Sequence, residues 1–168
     1  MTAALRDARA EDAPAIDALL RTAFGGDAEA MLVAALRRDG DVIAELVAER
    51  NGAVIGHVLF TGAPVGGARA VCLAPLAVAG PDRRRGTGAA LVREGLARCA
   101  EAGAAAAHVL GDPAYYARFG FRRARGITGA PWCDDPAFQV LPLVGDRPLP
   151  KGAVRYARAF AAFGAGQD

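Results

Sequence analysis

A mixed α/β fold, built on a mostly antiparallel central sheet flanked by helices, is predicted by three features of the chain. Two stretches of helical periodicity follow a short first strand, Asn51-Gly52 separates two strand-like runs, and a later strand passes through an arginine- and glycine-rich turn straight into a helix. With 168 residues, 53% of them hydrophobic and 23% charged, the chain is long enough for one cored domain, 1–168, and too apolar for a disordered one. Twenty basic residues against 18 acidic ones leave a formal charge of +2, without the excess of a duplex-binding surface, so no nucleic-acid partner is expected. Lys151 is the lone lysine, so arginine abundance alone carries little information. Cys72, Cys99 and Cys133 lie far apart and form no CxxC pair, which predicts inert reduced thiols and a cytoplasmic location. The first twelve residues carry charges where a signal peptide needs an apolar run, and no stretch has membrane length, so no membrane partner is expected either.

Residues 3–8 read as the first strand. Asp12 offers an N-cap and Pro14 a first-turn proline; Ile16, Leu19, Leu20, Ala23 and Phe24 then recur on one helix face until Gly25-Gly26. Asp27 is placed to cap a second helix with Leu32, Ala35 and Leu36 inward, closed by Asp39-Gly40. Residues 42–49 and 53–60 form a hairpin on Asn51-Gly52, and residues 70–78 extend the meander. The helix after the arginine-glycine turn shows Leu91, Val92, Gly95, Leu96 and Cys99 on one face and stops at Gly103. A buried strand at 105–110, a short helix at 113–119 ended by Gly120 and a strand near Phe121 follow. Strands at 138–143 and 154–160 complete the pattern, so the less regular part, 145–168, is expected to finish the sheet.

The segment V78-A-G-P-D-R-R-R-G-T-G-A-A-L-V-R93 brings three positive charges, glycines and unpaired helix-start amides together, the chemistry of a seat for a phosphorylated ligand. Gly86 and Gly88 let the backbone approach a pyrophosphate, and Arg83, Arg84 and Arg85 add charge-assisted hydrogen bonds. Neither GxxxxGK[ST] nor GxGxxG is present, which disfavours the nucleotide folds those motifs mark. Taken alone, the segment is equally an arginine-rich solvated turn.

Its flanks are informative. With L73-A-P-L-A-V78 before it and G111-D-P-A-Y-Y-A-R-F-G-F121 behind, the turn resembles the [RQ]-x-x-G-x-[GA] signature of the Gcn5-related N-acetyltransferases, the GNAT superfamily, at Arg83, Gly86 and Gly88. The later block and the G56-H-V-L-F60 strand are similar to one bacterial branch, the YhbS-like acetyltransferases, and the resemblance spans about residues 3–145. It implies the GNAT acyl-CoA N-acyltransferase fold, with the strands at 70–78 and 105–110 splayed. It also implies an N-acetyltransferase that moves the acetyl group of acetyl-CoA directly to a primary amine of a small molecule or peptide. The alternative is a non-catalytic acyl-CoA binding or sensing module. The cofactor residues implied are Leu76, Ala77 and Val78 for the pantetheine arm and Arg83, Arg84, Arg85, Gly86, Thr87, Gly88 and Ala89 for the pyrophosphate. No metal site is expected, and a homodimer is compatible with the family without any warrant in the residues.

Tyr116, four residues before the glycine of Y-x-x-x-G-F, matches the family tyrosine that protonates the departing thiolate, with its neighbour Tyr115 as competitor. Cys72, Leu73, Ala74 and Pro75 supply no carboxylate where many relatives carry a basic glutamate. Glu45 and Glu49 could act from the second strand but read more simply as solvated strand charges, and His57 and His108 as satisfied core histidines. Trp132, Cys133, Asp134 and Asp135 fall in an irregular segment that could attract a cationic amine through charge and cation-π contact; a solvated loop with one packed aromatic is the simpler reading. A nucleic-acid role for Arg83 to Arg85 with Arg122, Arg123 and Arg125 is disfavoured by the small net charge.

Overall fold

The computed structural model describes residues 2–145 and 147–164; Met1, Asp146 and residues 165–168 of the expected 1–168 domain lie outside the described residues. Strand β1 (Ala4–Asp7) leads into helices α1 (Ala13–Phe24) and α2 (Ala28–Asp39), and strands β2 (Val42–Arg50), β3 (Ala53–Gly62) and β4 (Ala70–Val78) follow. Asn51 and Gly52 both adopt positive φ, 53° and 78°, so they make the tight turn whose twist suits a hairpin, and Arg50 pairs with Ala53 across it. Helix α3 (Thr87–Glu101) and strand β5 (Ala106–Leu110) come next, then a single turn of helix, α4 (Pro113–Tyr116), continued by a 3-10 turn to Phe119. Short strands β6 (Arg122–Arg123) and β7 (Ile127–Thr128), strand β8 (Phe138–Pro142), strand β9 (Gly152–Ala153) and helix α5 (Phe160–Gly164) complete the order.

Seven strands form one sheet in the order β1-β2-β3-β4-β5-β8-β6, antiparallel at each contact except β4 with β5. Period-two alternation sends successive side chains to opposite faces. Val58 and Phe60 of β3 meet Leu91, Val92 and Leu96 of α3 on one face. Leu59, with Val47 of β2, meets Ile16, Leu20, Val33 and Leu36 of α1 and α2 on the other. Gly95 of α3 stands where Phe60 leaves no room for a Cβ, so the helix lies close on the sheet.

Three expectations change. Asp12 and Asp27 do not cap their helices through side-chain hydrogen bonds. Asp12 is instead buried under Arg6, whose guanidinium reaches both carboxylate oxygens at 2.7 and 2.9 Å, an ion pair stronger than a helix cap. The part 145–168 does not finish the main sheet. Among its described residues only β9 is a strand, and it pairs with β7 in a separate ribbon. The expected strand at 154–160 is a bridge from Val154 to Val65, and the chain then turns so that Phe160 packs against the α1 and α2 face. Val154 and Phe160 are buried by this route and Tyr156 is half-buried, without a place in the main sheet.

Candidate active site

The parallel ladder between β4 and β5 is short. It joins Ala70, Val71 and Cys72 to Ala106, Ala107 and His108 and goes no further. Beyond Cys72, β4 continues to Val78 on β3 alone while β5 continues on β8, so the two strands part. Residues 73–78 thereby present backbone polar groups to an open edge, which a ligand can pair as an added strand would.

That edge runs down to the arginine-glycine turn. Asp82 is buried and ion-paired with Arg50, which fastens the turn to the end of β2. Arg84 and Gly86 both take left-handed backbone, φ 61° and 85°, and Gly86 delivers the chain into α3 without a side-chain cap, so the first-turn amides point out unpaired. Leu76, Ala77, Val78, Arg83, Arg84, Gly86, Gly88 and Ala89 line a cleft of about 340 Å³, the end of α1 at Ala23 and Phe24 forming its opposite wall. Helix-start amides, two arginines and a free strand edge in one cleft suit an anionic ligand with an extended, amide-bearing arm. Of the ten cofactor positions expected, Arg85 and Thr87 do not line it. Both border a separate hollow with Leu5 and Arg50, and the Thr87 methyl approaches the position a Cβ would take at Gly56 to 3.2 Å. Arg83 is also partly committed, donating from Nε to the Val78 carbonyl at 3.0 Å.

The two tyrosines diverge. Tyr115 lines the cleft with its hydroxyl over α3's first turn, 2.9 Å from where a Cβ at Gly88 would stand. Arg118 stacks on the Tyr115 ring at 4.4 Å, donates to its carbonyl and lines the cleft as well. Tyr116, 8% exposed, turns inward against Phe121 and against Gly111 at the end of β5. Burial, with the nearby Tyr115 and Cys72, raises its phenol well above the ordinary tyrosine range. Arg118 is a cleft residue missed by sequence reasoning; its signal was the three-residue step from Tyr115, which puts both on one helical face.

The candidate bases lie elsewhere. Glu45 is not a solvated strand charge: it accepts from His57 Nε2 at 2.8 Å and from Arg37 Nε at 3.0 Å, tying α2 to β2 and β3. Burial pulls its carboxyl up, and His57 and Arg37 together outweigh that, holding it below the usual range. Glu49 pairs with Arg6. His57 is sealed, and burial lowers its pKa. His108 is sealed too; its Nε2 donates to the Ala63 carbonyl at 3.0 Å and burial lowers its pKa to about 4. Cys72 stands at the parting of the strands, but burial pushes its thiol up to about 12, so it is not a thiolate nucleophile.

The Trp132–Asp135 segment splits. Asp134 and Asp135 are exposed, the latter accepting from the Ala137 amide in a turn. Trp132 faces inward and donates from its indole nitrogen to the Tyr156 hydroxyl at 2.9 Å. Together with Cys72, Leu73 and Ala74, these two rings border a second hollow, of about 160 Å³.

The comparisons with known proteins agree with this geometry. The model of the Acetyltransferase (GNAT) family matches residues 4–121. An uncharacterised N-acetyltransferase of Escherichia coli K12, YhbS, is 51% identical over 116 residues, 67% of this chain and 70% of the relative. A second, YjhQ, is 36% identical over 126 residues, 71% of this chain and 70% of the relative. Among solved structures, Escherichia coli YhbS in complex with CoA superposes with a TM-score of 0.90 at 43% identity, covering 98% of this chain and 94% of that one. A GNAT acetyltransferase from Brucella melitensis in complex with acetyl-CoA gives 0.80 at 34% identity, covering 94% and 97%. With the family match running from β1 through α4 and across the parted strands, the chain belongs to the GNAT acetyltransferases.

Proposed function

We propose that this chain is an acetyl-CoA-dependent N-acetyltransferase that delivers the acetyl group directly to a primary amine, its family fixing the reaction class and the parted strands carrying the reading for this molecule. The free edge at Leu76, Ala77 and Val78 holds the pantetheine arm, and the amides of Gly86, Gly88 and Ala89, with Arg83, Arg84 and Arg118, receive the pyrophosphate. Arg85 and Thr87 are left out of that set, because they border another hollow and not this cleft. Acetyl-CoA is a substrate whose thioester carbon accepts the amine nitrogen as the carbon–sulfur bond breaks; the amine loses its proton to water.

Tyr116 meets the departing sulfur. Its ring lies beside Gly111 at the end of β5 and near Cys72, where the strands part, whereas the Tyr115 hydroxyl lies over Gly88 at the start of α3. A phenol raised above its ordinary range stays protonated through neutral pH and can donate a hydrogen bond to developing thiolate charge, with its proton restored from solvent. A high Cys72 pKa disfavours a covalent acetyl-enzyme and supports direct transfer. No described helix is long and apolar enough to cross a membrane, and the three unpaired cysteines support a reducing, cytoplasmic setting. The whole of 1–168 is taken as one such domain.

Calorimetry with acetyl-CoA, followed by thiol release over an amine panel, tests the reading. Saturable binding and amine-dependent release are expected; no binding at millimolar acetyl-CoA would overturn it, and binding without release from any amine would favour the non-catalytic module.

A further inference from the structure

Resting on that reading, we propose that the hollow beside Cys72 and Ala74 seats the apolar group of the acceptor, and that the acceptor class is an arylalkyl primary amine with no second charge. The hollow opens where the reading needs an acceptor: β4 walls it at Cys72 and Ala74, just beyond the edge assigned to the pantetheine arm, and Leu110 at the end of β5 walls it from across the gap. Trp132, Tyr156 and Phe160 line it with aromatic faces, Trp132 standing 5.2 Å and Phe160 5.1 Å from the Tyr156 ring centre. An apolar cavity of about 150 Å³ takes a benzene ring, and this one is about 160 Å³.

Charge decides against polyamines, and the absence of partners for peptide amides decides against lysine side chains. Among the described residues no acidic side chain lines the hollow, so a second ammonium entering it would lose its hydration without gaining a partner, and the amides flanking a peptidyl lysine would likewise go unpaired. The Tyr156 hydroxyl, the one among its described lining residues, already accepts the Trp132 indole N–H. Asp134 and Asp135, which the sequence offered as an attraction for cations, face solvent. Leu110, 44% exposed at the rim, is a large apolar side chain that the surface alone does not need and that an apolar acceptor would cover. The same desolvation bears on the missing base: an amine held at the mouth of an apolar hollow is partly stripped of water, which lowers its pKa so that it sheds its proton more readily.

The test measures thiol release with saturating acetyl-CoA and either phenethylamine, spermidine or Nα-acetyl-lysine amide as acceptor, alongside calorimetric binding of phenethylamine to the CoA-saturated protein. Phenethylamine is expected to exceed spermidine and the lysine amide in kcat/KM by about tenfold or more, the discrimination a single apolar pocket supplies. Leu110→Glu, at an exposed position that does not threaten folding, is expected to lower phenethylamine binding and turnover by about tenfold while acetyl-CoA affinity stays within about twofold. Equal or better turnover of spermidine or the lysine amide overturns the proposal, as does acetyl-CoA binding with no phenethylamine binding or turnover. A failure to bind acetyl-CoA would instead bring down the cofactor reading beneath it.

Discussion

Two hollows flank β4, and they are built in opposite ways. The cleft at its C-terminal end takes most of its wall from one continuous stretch, residues 76–89, and offers backbone amides, glycines and arginines. The hollow at its parting from β5 gathers residues from positions 72 to 163, scattered over a strand end, a loop and the C-terminal turns, and offers aromatic faces. A site made of backbone in consecutive residues leaves a local pattern in the sequence. A site made of side chains from distant segments exists only after the chain has folded, so its specificity is invisible until then.

The largest expected effect is at Tyr116, where the strands part. Tyr116→Phe keeps the ring that packs on Gly111 and Phe121 and removes the hydroxyl; turnover is expected to fall by about 10² to 10⁴ with acetyl-CoA affinity unchanged, the span of a positioned acid. Tyr115→Phe should cost turnover less than about tenfold, because its hydroxyl stands at the pyrophosphate end. The reverse ranking in steady-state rates would reassign the acid to Tyr115.

Gly88→Asp comes next. The new carboxylate would fill space under the Tyr115 hydroxyl, a flexible side-chain tip, and repel the diphosphate, so acetyl-CoA affinity is expected to fall by about 10² in a protein that still folds. Gly86→Asp adds backbone strain at φ 85°, so its thermal midpoint should drop as well. Equal calorimetric affinity in wild type and Gly88→Asp would put the pyrophosphate elsewhere.

A charge-assisted contact is worth about 1.5 to 3 kcal/mol at most, so Arg118→Ala or Arg84→Ala should weaken acetyl-CoA binding by about tenfold. Arg85→Ala, whose side chain points to another hollow, should change it by less than about twofold. A loss at Arg85 equal to that at Arg84 would show that the turn rearranges around the ligand.

A difference in stability, not in binding, distinguishes the hollows by pH. His108 lies behind the aromatic one, 5.5 Å from the Tyr156 ring centre, and its pKa is lowered to about 4 by burial. The unfolded chain, with an ordinary histidine near pH 6.5, binds that proton first, so the contribution is fully present above about pH 6.5 and is lost as pH falls toward 4. Chemical denaturation should show stability declining by on the order of 3 kcal/mol across that window, and His108→Gln should flatten the decline. An unchanged slope in the variant would assign the acid sensitivity to other groups.

Particular residues show where reading the sequence succeeded. Asn51-Gly52, the glycines that stop α1, α2 and the turn after α4, and the step from β4 through Gly86 into α3 all act locally, through backbone conformation, and the structure has each in place. Asp12 was misread because its partner, Arg6, is a tertiary contact that competes with capping. Glu45 was misread because Arg37 on a different element draws it under cover. Residues 154–160 carry enough apolar character for a strand, but the sheet edge they would need is not theirs, and the burial goes to α5 instead. Trp132 and Asp134, two residues apart, face opposite environments that no periodicity in an irregular segment could separate.

The central claim is that acetyl-CoA completes the edge of β4 where β5 leaves it. A crystal structure of this protein with CoA bound tests it most directly. The account predicts the pantetheine arm paired to the backbone of Leu76, Ala77 and Val78, the pyrophosphate on the amides that open α3, and the sulfur within about 3.5 Å of the Tyr116 hydroxyl. A pantetheine arm lying outside the gap between β4 and β5, or a sulfur closer to Tyr115 than to Tyr116, would contradict it.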